Sequence, residues 1–111
     1  MRRMIGTAGC GLIVALATVT VAQEPGKTTD RFGMEFGQLV GSEAGCGLSF
    51  KPEAVERVIR ENVAAGDLEF NYTFGAYVSM EADDVREMSS TEKIVHCTTT
   101  ERNARALGLI D

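Results

Sequence analysis

Between residues 31 and 47 the chain reads RFGMEFGQLVGSEAGCG, and glycine falls at Gly33, Gly37, Gly41 and Gly45. A spacing of four lays these glycines along nearly one line of a helix. Phe32, Phe36, Leu39 and Val40 run beside them. Each glycine in a helix interior costs about 1 kcal/mol relative to alanine. A bare strip on a helix offers one thing in return, the close approach of another backbone. Arg31, Glu35, Gln38 and Glu43 interrupt the stretch, which argues against a transmembrane packing motif. The ladder therefore predicts a helix-packing seam in a water-exposed domain, made either within the chain or with a second copy as a homodimer.

A domain of this kind needs a compartment and a size. Arg2 and Arg3 precede the apolar run Leu12–Val21, and the small residue Ala22 stands before Gln23, Glu24 and Pro25. That order is the pattern of a secretory signal peptide, with cleavage expected after Ala22 and Thr20 in the minus-three place. Two other readings of the segment stay open. One is an uncleaved anchor; the other is lipidation at Cys10, which precedes the apolar run rather than following it. The main reading divides the chain into a signal peptide at 1–22, a flexible mature terminus at 23–29 and a helical domain at 30–111. It places the protein in the periplasm or outside the cell, with no stable membrane insertion after cleavage. Removing 22 of 111 residues leaves 89, enough for one domain with a thin core.

Losing Arg2 and Arg3 reduces eleven basic residues to nine, against sixteen acids, for a mature net charge of −7. Such a chain is a poor partner for nucleic acid or an anionic membrane surface. The expected partner is an unidentified protein or peptide of the cell envelope. Two cysteines remain in the mature chain, Cys46 and Cys97. An even pair in an oxidising compartment is most simply one disulfide. The two cysteines stand 51 positions apart, and closing a loop of that length stabilises by about 4 kcal/mol in the chain-entropy account.

Local chemistry predicts an all-α, four-helix domain. Asp30 caps a first helix running to about residue 46, which Gly45-Cys46-Gly47 ends. Pro52 opens a second helix with the apolar stripe Ala54, Val55, Val58, Ile59 and Val63, ended by Gly66. Asp67 caps a third. There two periods compete: Leu68, Phe70, Tyr72, Phe74, Ala76, Val78 and Met80 alternate as a strand would, while Phe70, Phe74, Tyr77, Val78, Ala82, Val85 and Met88 follow a helix. The helical set runs on past residue 80 and no second segment alternates, so we read a helix. Ser89 and Glu92 form a capping box for a fourth helix, whose inward face is expected to be Ile94, Cys97, Thr100, Ala104 and Leu107.

No residue set demands catalysis, a cofactor or a metal. His96 beside Cys97 suggests a nucleophile and its base, but neighbours on a helix diverge by about a hundred degrees and the cysteine is expected to be bridged. We read His96 as a surface residue. Glu81, Asp83, Asp84 and Glu87 lack the spacing and the glycine of a calcium loop and read as a solvated face. Gly26-Lys27-Thr28 lacks the upstream glycine of a phosphate-binding loop. Tyr72 and Tyr77 are candidates for a contact surface.

Ala44-Gly-Cys-Gly-Leu48, the aromatic Phe70 to Gly75 segment, and Cys97 followed by Arg102 and Ala104-Arg-Ala-Leu-Gly-Leu109 resemble small exported two-cysteine proteins of Gram-negative bacteria. A looser similarity is to the acid-stress periplasmic chaperones, small exported helical proteins held by one disulfide. The glycine-laddered first helix departs from that second group. These resemblances imply a non-catalytic binding or interaction module of the envelope, or alternatively a chaperone that opens under acid stress.

Overall fold

The computed structural model describes residues 25–111, which form four helices and, among the described residues, no strand. We label them α1 (Pro25–Gly41), α2 (Pro52–Asn62), α3 (Leu68–Arg86) and α4 (Ser90–Ala106). The all-α class expected from the apolar spacing is the observed one. In α3 the helical period wins because it is the set that meets a neighbour. Phe70 and Val85 are buried and Phe74, Tyr77 and Val78 half-buried, while Leu68, Tyr72 and Met80 of the alternating set face outward.

Helix ends follow local chemistry with three shifts. α1 begins at Pro25, whose fixed φ and missing N–H suit a first turn, so Asp30 lies inside the helix rather than capping it. Residues 25–29, expected in a loose terminus, are thus helical. The expected leader, 1–22, lies outside the described residues. The regular turns of α1 stop at Gly41, and the chain turns on through residues 42–47. There Gly47, at φ +68°, donates to the Ala44 carbonyl while Leu48 donates to that of Glu43. This paired closure requires the left-handed conformation that glycine adopts freely. α2 starts at Pro52 and ends at Asn62, short of Gly66, because Val63 is already extended. Asp67 caps α3 by accepting from the Phe70 N–H at 3.3 Å.

At α4 the capping box is complete: Glu92 donates its N–H to Ser89 Oγ at 3.2 Å, and Ser89 donates its N–H to Glu92 Oε1 at 2.8 Å. The Ser89 N–H, and then its hydroxyl, hold the Glu92 carboxyl below the usual carboxylate range. A lowered folded value means that this cap contributes fully above the ordinary range and is lost as pH falls through the lowered value. Amide protection in the first turn of α4 is therefore expected to fall in acid. Glu92→Gln, which keeps a side-chain acceptor without the charge, should flatten that fall. A step that persists in the variant would assign it to another group.

The glycine ladder faces α3. A Cβ placed on Gly37 would lie 2.9 Å from the Phe74 carbonyl oxygen and 2.9 Å from Tyr77 Cβ. On Gly41 it would lie 2.6 Å from the Val78 oxygen and 2.9 Å from Glu81 Cβ. Beyond the helix, Gly45 meets Val85, which is fully buried. This closeness brings aromatic rings together beside the seam. Phe32 lies 5.8 Å from Phe70 and Phe36 lies 5.8 Å from Phe74, with Phe32–Phe36 and Phe70–Phe74 closing the set at 5.3 and 5.4 Å. Pairs of this geometry add about 0.5–1.5 kcal/mol beyond area burial.

Phe36 also belongs to the main core, with Phe50, Ala54, Val58, Ala104 and Leu109. The C-terminal residues close that core over α2. Gly108 at φ +76° ends α4 and turns Leu109 inward, and the Leu109 carbonyl accepts from the Lys51 N–H at 2.9 Å. Cys46 and Cys97 form the expected disulfide, with Cα atoms 5.4 Å apart, joining the turn after α1 to the middle of α4. The bridge sets which arc of α4 is buried. Thr100 and Ala104 are inside, whereas Ile94 is 67% exposed and Leu107 40%, contrary to their expected inward place. The inward arc centres between His96, Thr100 and Ala104, leaving Ile94 about a hundred degrees away. Among the described residues no helix is long and apolar enough to cross a membrane.

Candidate functional site

Bare Gly41 lets α3 lie against the end of α1, and this delivers Glu81 to the next residue, Ser42. Ser42 is fully buried. Its hydroxyl donates to the Gln38 carbonyl one turn back, at 2.9 Å. From the other side the disulfide fixes α4, and its neighbour His96 reaches inward. His96 Nε2 stands 2.8 Å from Ser42 Oγ and 3.1 Å from Glu81 Oε2. Three helices thus meet in one polar node beside the bridge.

The donor and acceptor count fixes what the node can do. An ionised carboxylate only accepts, so the contact to Glu81 requires the proton on His96 Nε2. Ser42 then accepts from the ring and passes its own proton toward Gln38. A nucleophile and base need the opposite arrangement, a ring lone pair facing the hydroxyl and a carboxylate on the far ring nitrogen. Here Ser42 and Glu81 share one nitrogen. The geometry is that of a tie between α1, α3 and α4, not of a proton relay.

A cavity of about 650 Å³ opens next to this node. Phe32, Phe36, Leu39 and Val58 give it an apolar wall. Among the described residues Glu35, Glu81 and His96 are its titratable groups, and no Lys or Arg lines it. Its size falls within the range of small-molecule sites.

The residues singled out in the sequence are distributed differently. Tyr72 is 83% exposed on the outer face of α3, while Tyr77 is half-buried with its Cβ against Gly37. They do not share a patch, since five residues turn a helix well past one revolution. His96 is half-buried rather than on the open surface, its side chain 27% exposed. The acidic cluster separates: Asp83, Asp84 and Glu87 are exposed, with Asp83 paired to Arg86, but the Glu81 side chain is only 12% exposed. Among the described residues no group of three His, Cys, Asp or Glu is placed to hold a metal ion. Ser42 and Glu81 were not anticipated. The available signal was that Glu81 continues the inward stripe, four residues after Tyr77 and four before Val85.

Fold, bridge and groove together define a disulfide-stapled four-helix domain with a ligand-sized cavity at the meeting of three helices. No family model matches the chain, and neither a curated protein nor a solved structure does.

Proposed function

We propose that the protein is a non-catalytic binding module, exported to the periplasm or the cell exterior, whose outer α3 face engages an apolar and basic segment of another envelope protein. One observation carries this reading. Leu68, Tyr72, Ala76 and Met80 are spaced by four along α3 and all are exposed, Leu68 by 79% and Tyr72 by 83%. An apolar line on a helix is ordinarily buried, yet this one is turned away from the seam. Exposed Glu69, Asp83 and Asp84 flank it. Those acids, and the overall negative charge, disfavour a second copy of this chain and favour a basic partner.

The test uses a helical peptide of leucine and lysine, with a leucine–glutamate peptide as control. The first should bind and shift the amide resonances of residues 68–80; the second should not. Tyr72→Ser leaves the charge untouched and should weaken binding by about tenfold, the loss typical of an aromatic anchor. Equal binding by both peptides, or shifts confined to other helices, would remove the reading. The acid-chaperone alternative draws on Glu43 and Glu81, whose carboxylates accept from the Phe50 N–H and from His96 Nε2. It requires the peptide to bind only after acidification, whereas the exposed stripe requires binding at neutral pH.

A further inference from the structure

We infer that the cavity beside Ser42, Glu81 and His96 is a binding site for a small amphiphilic cation, an alkyl- or aryl-ammonium whose charge sits at Glu81 and whose apolar part lies along Phe32, Phe36 and Leu39. The site is separate from the outer face of α3 and does not depend on it.

The argument begins with Glu81. Its carboxylate is nearly enclosed, and enclosure of an ionised group is costly unless it is paired or well hydrogen-bonded. Among the described residues its cationic partner is His96, which carries charge only when protonated. Ser42 Oγ stands 3.4 Å away, with its one proton donated to the Gln38 carbonyl. The carboxylate therefore holds the His96 hydrogen bond and, among the described residues, has no Lys or Arg beside it. Among the described residues the cavity that reaches it adds a second acid, Glu35, and no Lys or Arg. Its potential is negative by composition, so an anion is disfavoured and a cation favoured.

The remaining wall sets the shape of the ligand. Phe32, Phe36, Leu39 and Val58 offer apolar surface, and Phe32 and Phe36 are stacked neighbours 5.3 Å apart. An aromatic face beside a carboxylate suits an ammonium head carrying methylene groups. A bare metal ion lacks the apolar part and would find too few ligands here.

Protonation of His96 competes with the ligand. Charged and titratable groups around the cavity come from three of the four helices that enclose it, Glu35 from α1, Glu81 from α3 and His96 from α4, while α2 contributes neutral Val58 and Asn62. When His96 gains a proton it supplies the charge that Glu81 lacks, and the attraction for a second cation falls. When the two acids gain protons at lower pH, the attraction disappears. Both effects have the same sign, and each added proton weakens the preference for a cation.

The experiment titrates the full mature protein with hexylammonium, hexanol and hexanoate, followed by calorimetry and amide resonances. Near neutrality hexylammonium should bind about tenfold more tightly than hexanol, as expected for one favourable charge contact in a partly enclosed site. Hexanoate should bind more weakly than either. Glu81→Gln should bring hexylammonium down to the level of hexanol and leave hexanol unchanged. Because Glu81 also ties α1 to α4, Glu35→Gln, at an exposed position, provides a second variant and should reduce the same preference by a smaller factor. Acidification should erase most of the preference in the wild-type protein, and His96→Gln should weaken that dependence. Equal affinity for hexylammonium and hexanol would overturn the inference, as would shifts mapping to residues 68–80 instead of the cavity. Neither result bears on the leucine–lysine peptide, whose binding is read on the outer face of α3.

Discussion

Cys46→Ala and Cys97→Ala are each expected to destabilise the protein by about 2–4 kcal/mol, and reduction of the wild-type chain should reproduce the effect. The bridge spans 51 positions and joins elements that have few other ties. Its loss frees the unfolded chain, which accounts for most of the expected change. The folded state also loses a constraint: α4 is then positioned near α1 by the Ser42 and His96 contact and by the core around Ala104 and Leu109. Denaturant titration separates these contributions. A longer-ranging unfolded chain exposes more surface, so reduction should lower the midpoint and raise the slope together. An unchanged midpoint in both alanine variants would mean that packing alone sets the stability.

The parts of the fold that could be read in advance are those set by neighbours in sequence. Pro52 and Ser89 announce helix starts through their own backbone chemistry, and Cys46 and Cys97 announce one bridge because no third cysteine lies among the described residues. The glycine ladder was legible because it is periodic. Other features depend on where the chain goes next. Phe50 and Leu109 enter the core from non-helical segments with no repeating pattern. Ile94 looked inward on spacing alone, but the arc of α4 is set by Cys97 and by His96 reaching Ser42, while Leu107 keeps the inward direction and is left partly open because it caps the helix at the cavity. Glu81 looked like one of four solvated acids until the seam at Gly41 drew its side of α3 against α1. The polar node arises where two tertiary constraints, the seam and the disulfide, converge, and neither its histidine nor its serine carries a local mark of that role.

Gly41→Ala and Gly37→Ala are expected to lower stability, while Gly33→Ala should leave it level or raise it slightly. Two effects oppose each other at every rung. A methyl group improves helix propensity by about 1 kcal/mol, and it intrudes on a packed seam at a cost of about 1–3 kcal/mol, occasionally more. The neighbour decides the sign. At Gly41 the new carbon would stand 2.6 Å from the Val78 carbonyl oxygen and 3.1 Å from Val78 Cα, so backbone must move. At Gly37 it would stand 2.9 Å from the Phe74 oxygen. At Gly33 the nearest atom is Thr73 Cγ2 at 3.2 Å, the end of a half-buried side chain that can turn aside. Position along the helix is not the reason for tolerance there, since α1 extends back to Pro25. The loss at Gly41 should be the larger, a fall in Tm of roughly 5–10 °C for a net cost near 1–2 kcal/mol in a domain of this size. Pushing α3 away at Gly41 also pulls Glu81 from Ser42, so this variant should lose the preference for hexylammonium over hexanol while Gly33→Ala keeps it. Thermal melts of the three variants, with the same two ligands added, check both statements. Stabilisation by both central substitutions would show that α3 yields without cost and that the seam does not hold the node in place.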